Sequence, residues 1–152
     1  MKKSLLCAGL CVGLVSMPAI ASSFADGYFA KNFRSPTGNI VCQGDGVTYE
    51  DYPRQGVRCF IFEHANAIKA TQREKDCDLD WTAGFTVLAK GRGKYEGVCH
   101  GDVFWKVDAP ALKYGQTIKG NGWQCTSQSA GMTCTNHLGG GFFVSKSAQK
   151  TW

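Results

Sequence analysis

His100-Gly101-Asp102 sets an imidazole and a carboxylate two residues apart, the combination a hydrolase uses for acid–base work when a nucleophile lies beside it. In an extended segment both side chains leave the same face of the strand. No G-x-S-x-G elbow or other nucleophile signature accompanies them, so His100 and Asp102 are the candidate catalytic residues of an alternative reading only. The carboxylates Glu74, Asp76, Asp78 and Asp80 lack the D-x-[DN]-x-[DN]-G loop and distal Glu of a calcium site. Their alternation about Cys77 and Leu79 suits one wet face of an extended segment. The amides of Gly139-Gly140-Gly141 could cradle an anion, yet no helix signal and no Lys-Ser/Thr pair of a phosphate loop follows. A close backbone crossing ahead of Phe142-Phe143-Val144 is expected instead.

The aromatic side chains supply the candidates for binding. Trp81, Trp105, Trp123 and Trp152 and Tyr28, Tyr49, Tyr52, Tyr95 and Tyr114 are numerous for a chain this small, and packing accounts for most of them. Tyr49-Glu50-Asp51-Tyr52-Pro53 is the stretch in which exposed rings are expected, because Pro53 and the acids discourage a central strand. Tyr49, Tyr52 and Trp123 are therefore the candidate binding residues, suited to stacking on the sugar rings of an envelope glycan.

Cysteine usage says most about what positions these groups. Residues 1–21 have the form of a signal peptide: Lys2 and Lys3, an apolar run over 5–15, then Ala19-Ile20-Ala21 as a small-x-small cleavage signal. The run is too short for a comfortable membrane span, and Leu10 stands where a lipobox before Cys11 needs a small residue. Cleavage after Ala21 reduces the 152-residue chain to 131 residues, with 15 basic against 12 acidic groups and six of the eight cysteines. Six cysteines in an exported chain imply disulfides.

Spacing alone leaves many connectivities open. Context narrows them, since Gly56-Val57-Arg58-Cys59, Gly97-Val98-Cys99 and Gly131-Met132-Thr133-Cys134 each read as the returning strand of a hairpin. Sequential pairing follows: Cys42 with Cys59, Cys77 with Cys99, and Cys125 with Cys134. Each bridge stabilises by roughly 3 kcal/mol in the loop-entropy account. With no C-x-x-C and no H-x-x-x-H, neither a metal nor another cofactor is expected.

The remaining pattern is short β-rich runs between Gly and Pro, without a long amphipathic helix. Strands are expected over residues 38–43, 57–62, 85–90, 95–100, 103–107, 122–127, 132–136 and 141–145. One or two helical turns suit 66–74, and Lys90-Gly-Arg92-Gly-Lys94 is the clearest hairpin turn. The fold class is mainly β, a small antiparallel sheet or barrel-like domain with little helix after the signal peptide. Residues 1–21 form the signal, 22–32 a lead and 33–152 a single disulfide-bonded domain. The first and last thirds also echo each other in the order aromatic, cysteine, polar loop, Gly-hydrophobic-x-Cys.

A set of motifs runs through the chain: Phe33-x-Ser35-Pro36-Thr37-Gly38-Asn39-Ile40-x-Cys42, Gly-Val-Arg-Cys59, Cys99-His-Gly-Asp102 and Leu112-x-Tyr114-Gly115. Cys125-x-Ser127, Gly131-x-Thr-Cys134-Thr-Asn136 and Gly139-x-Gly141-Phe142 follow in order. Over residues 33–147 the chain resembles a family of small exported bacterial proteins catalogued as a domain of unknown function. Thr37 stands where that family usually has Ser, and Gly140 and Lys146 stand where it usually has His and Arg. The resemblance implies a secreted, disulfide-bonded module with no assigned activity.

Together these observations favour an exported, periplasmic or secreted binding or envelope-associated module, non-enzymatic and monomeric. Its partner is an envelope glycan or another exported protein. A net charge of +3 after cleavage, spread along the chain, argues against nucleic acid, and removal of the signal leaves no stable membrane anchor. The alternatives are the hydrolase using His100 and Asp102, or an inhibitor of a secreted hydrolase.

Overall fold

Segments rich in Val, Phe, Ile and Thr, separated by Gly-containing turns, pair one after another along the chain. The computed structural model describes residues 29–46, 55–65, 76–101 and 107–152. The first sheet is a meander of β1 (Phe29–Arg34), β2 (Ile40–Gly46), β3 (Gly56–Ile61), β4 (Asp80–Leu88) and β5 (Lys94–His100), each antiparallel to the next. The second repeats the plan with β6 (Thr117–Lys119), β7 (Trp123–Gln128), β8 (Gly131–Asn136), β9 (Gly141–Val144) and β10 (Gln149–Thr151). Among the described residues there is no helix, and none long and apolar enough to cross a membrane.

The two sheets share one core. Phe33, Ile40, Val57, Ile61, Phe85 and Val87 from the first meet Trp123, Met132, Phe142 and Val144 from the second. The expected mainly β, antiparallel domain thus takes the form of two facing meanders. β7 and β8 alternate cleanly between buried and more open positions, the pattern of a sheet with one covered face. β2 and β3 do not alternate, because Val41 and Phe60, neighbours of the inward Cys42 and Cys59, form a second buried cluster on the outer face.

All three disulfides pair sequentially, as the hairpin context predicts. Cys42 lies directly opposite Cys59 on β2 and β3, and Cys125 opposite Cys134 on β7 and β8. Each meander is therefore stapled between its second and third strands, so the echo between the two ends of the sequence extends to topology. The two staples also touch, with Cys59 Sγ 3.8 Å from Cys134 Sγ, and their four sulfur-bearing residues are fully buried. The third bridge is peripheral: Cys77 precedes β4 and Cys99 lies exposed on edge strand β5.

Several boundaries differ from expectation. β1 opens at Phe29, inside the expected lead, and β4 starts at Asp80, ahead of the anticipated 85. β1 as a whole and the three-residue edge strands β6 and β10 match none of the expected strands. Short polar segments such as Gln149–Thr151 carry little pattern of their own and are strands because a neighbour supplies the ladder. The expected helix at 66–74 and nearly all of the strand at 103–107 lie outside the described residues.

The Gly-rich segments meet as expected at one end of the sandwich. A Cβ on Gly140 would stand 1.9 Å from the Gly91 carbonyl, and one on Gly93 1.9 Å from that of Gly141. Asn136 secures the crossing: its Nδ2 donates to the Leu88 and Gly91 carbonyls, and its Oδ1 accepts from the Leu138 and Gly140 amides.

Candidate functional site

The opposite end of the sandwich carries a groove of about 620 Å³, built by turns from both sheets. The β1–β2 turn supplies Ser35, Thr37 and Asn39, and the end of β3 supplies Phe62 and Glu63. From the second sheet come residues 128–131 between β7 and β8, and 145–147 after β9. Tyr114 completes the lining from the segment that joins the two sheets.

Local chemistry makes each wall rigid. In the first turn Gly38 takes φ +77° and donates to the Ser35 carbonyl, while Ser35 Oγ accepts from the Ile40 amide at 3.1 Å. Asn39 clamps this turn to the chain beyond β3, its Nδ2 donating to the Glu63 carbonyl at 2.9 Å and its Oδ1 accepting from the Glu63 amide at 2.8 Å. Phe62 is held between those contacts, with its amide on the Asn39 carbonyl. Across the groove Ser145 Oγ donates to the Ala148 carbonyl and accepts from the Ala148 amide.

Tyr114 is presented by a braced turn. The joining segment runs along β1, with the Arg34 amide on the Pro110 carbonyl and the Leu112 amide on the Arg34 carbonyl. Gln116 N donates to the Lys113 carbonyl, Lys113 N to Gln116 Oε1, and Gly115 N to the Ser127 carbonyl of β7 at 2.7 Å. The aromatic residue is 51% exposed at the apex of this turn, and Phe62 across the groove is 40% exposed.

Charge at the rim is balanced. Lys146 Nζ lies 3.0 Å from Glu63 Oε2, both side chains largely exposed. An exposed pair of this kind contributes at most about 1 kcal/mol to stability. Its more evident consequence is to join the two walls and neutralise the two charged groups of the lining, a join reinforced by the Ala65 amide on the Lys146 carbonyl.

His100 does not contribute to this groove. Its ring is 6% exposed, with Nδ1 3.2 Å from the Gly101 carbonyl and Nε2 2.9 Å from Thr82 Oγ1. A carbonyl only accepts, so in the neutral ring Nδ1 carries the proton and Nε2 accepts from the Thr82 hydroxyl. That arrangement ties β5 to β4 as a cross-strand contact. Neither His100 nor Thr82 lines the groove, and Asp102 lies outside the described residues.

Trp123, expected as a binding residue, is a core residue at 3% exposure. It stacks on Phe33 at 6.2 Å and donates from Nε1 to Asp45 Oδ1 at 2.7 Å. Glycines make the room: a Cβ at Gly44 or Gly120 would fall 2.2 or 2.1 Å from its indole. Tyr49 and Tyr52 lie outside the described residues.

Asp76, Asp78 and Asp80 are exposed. Among the described residues the metal-type ligand atoms found clustered within 4.8 Å are the sulfurs of Cys59, Cys125 and Cys134, all committed to disulfides. In sequence Tyr114 stands out as one of the aromatics and within the motif Leu112-x-Tyr114-Gly115, whereas Phe62 and residues 128–130 carry no such mark. The available signal was Tyr114-Gly115, a ring beside a residue free to take the φ of +83° that the turn requires.

A family model described as a family of unknown function covers residues 9–152. No curated protein and no solved structure matches the chain.

Proposed function

The chain belongs to the family of unknown function DUF6636, and from that premise we propose that it is an exported, non-enzymatic binding module whose contact surface is the groove at the turn end of the sandwich. The observation that carries this reading is the convergence of five separate stretches, from both sheets and their connection, on one braced groove of mixed polar and apolar lining. Three disulfides suit an oxidising compartment, and they hold those turns to a scaffold that resists unfolding. In this account cleavage after Ala21 leaves Ser22 as the first residue of a monomer, which contacts an envelope glycan or another exported protein.

Two measurements test it. Intact mass of the protein recovered from the periplasm or medium is expected to correspond to residues 22–152 with six cysteines oxidised; recovery of full-length reduced protein from the cytoplasm would contradict export. The mature protein is then incubated with a washed envelope fraction and sedimented. Tyr114→Ala is expected to abolish most of the retention, while Leu138→Ala at the other end leaves it unchanged. Equal retention of wild type and Tyr114→Ala would remove the groove from consideration.

A further inference from the structure

We infer that the groove takes a neutral oligosaccharide, held by ring stacking on Tyr114 and by hydrogen bonds to the hydroxyl and amide groups of the turns. This rests on the groove being the contact surface. Three features of the lining select the ligand class.

First, Tyr114 is half exposed on a braced turn, so presenting its ring costs little ordering on binding. A pyranose offers a complementary surface: one face of C–H groups for the ring, with hydroxyls around its edge. Second, the polar lining is hydroxyl and amide chemistry: Ser35, Thr37 and Asn39 brace their own turn, and Gln128 and Ser129 on the other side face the ligand. Gln128 and Ser129 are exposed on a turn, where a sugar hydroxyl can both donate to and accept from them.

Third, the carboxylate and ammonium of the lining are paired with each other. An anionic ligand would have to compete with Glu63 for Lys146, and a cationic one with Lys146 for Glu63. A neutral chain leaves the pair intact across the rim. A volume of about 620 Å³ accommodates about three sugar rings at roughly 200 Å³ each, within the range of ordinary ligand sites.

The test is a ¹H–¹⁵N NMR titration of the disulfide-intact chain with three neutral probes, maltotriose, cellotriose and N,N′,N″-triacetylchitotriose, and with the uncharged peptide acetyl-Ala-Ser-Ala-amide. At least one sugar is expected to shift amides of residues 37–39, 62–63, 114–116, 128–131 and 145–147. In Tyr114→Ala the affinity for that sugar is expected to fall about tenfold or more, the scale of one lost stacking contact. Leu138→Ala keeps wild-type affinity, and unchanged spectra away from position 114 show that each variant is folded. Shifts in the groove with the peptide and with none of the sugars overturn the ligand class while leaving the groove as contact surface. Absence of groove shifts with all four probes overturns the sugar proposal. If Tyr114→Ala also keeps envelope retention, the underlying reading falls with it.

Discussion

Removing the Cys125–Cys134 bridge should cost more stability than removing Cys77–Cys99, although its loop is the shorter. The bridges close separations of 9 and 22 residues, for which the chain-entropy relation gives about 2.6 and about 3.4 kcal/mol. Loop entropy alone therefore ranks the peripheral bridge as the more valuable. Packing reverses the order. Cys125 and Cys134 are fully buried, and Cys134 meets the sulfur of Cys59 at 3.8 Å, so Cys125→Ala/Cys134→Ala also opens space between the sheets. Each buried sulfur lost adds about 1 kcal/mol, by analogy with a deleted methylene in a core, bringing the total to about 4.6 kcal/mol. Cys99 is exposed and Cys77, though buried, lies outside the core shared by the two sheets, so Cys77→Ala/Cys99→Ala opens no space between them and should cost about 4 kcal/mol, the loop term with a partial packing contribution from Cys77. Urea unfolding of both double variants measures the difference, provided their m values agree. Cys125→Val/Cys134→Ala, which refills part of the space, should recover about 1 kcal/mol. A peripheral variant at least as destabilised as the core variant would refute the claim that the stacked sulfurs are part of the packing.

Exposure of Cys99, against full burial of the other two bridges, implies ordered reduction: under mild reductant without denaturant, alkylation should label Cys99 first and its released partner, the buried Cys77, next, as read by peptide mass, with the other four cysteines protected until the fold opens. Asp45→Ala removes the acceptor of the buried Trp123 Nε1–H and of the Asn121 amide, and should cost about 1 to 3 kcal/mol in the same unfolding assay. Gly44→Ala drives a methyl into the Trp123 ring and should cost about 1 to 3 kcal/mol or more, with altered Trp fluorescence as a second readout. Glu63→Ala should change stability by less than about 1 kcal/mol, because its ion pair with Lys146 is exposed.

The disulfide map was legible because it is local. Gly-hydrophobic-x-Cys signals a returning strand, and in a two-strand hairpin the nearest cysteine lies on the outgoing one, as Cys42 and Cys59 do in register. The core strands were legible for a related reason: residues 123–128 and 131–136 alternate with period two. The first half of β4 was not. Its Asp80 and Gly84 look like loop residues, but Gly84 lies beneath Phe60 and beside the Glu96 carbonyl, a close approach that becomes visible only once β3 and β5 are in place. Trp123 was misplaced because its slot is made by Gly44, far away in sequence, and glycines do not announce which ring they accommodate. The groove was hidden in the same way. Ser35-Pro36-Thr37-Gly38-Asn39 reads as a turn and is one, but its position beside Tyr114 and residues 145–147 follows from the packing of two sheets.

Photocrosslinking in producing cells tests the groove most directly. A benzophenone amino acid is placed at position 114 in one version of the protein and at position 138, on the other end of the sandwich, in a second. Both positions are more than half exposed, so both report on what the surface meets without disturbing the core. An envelope component linked from position 114 and absent from position 138 is the expected result. Linkage of the same component from position 138 alone would contradict the assignment.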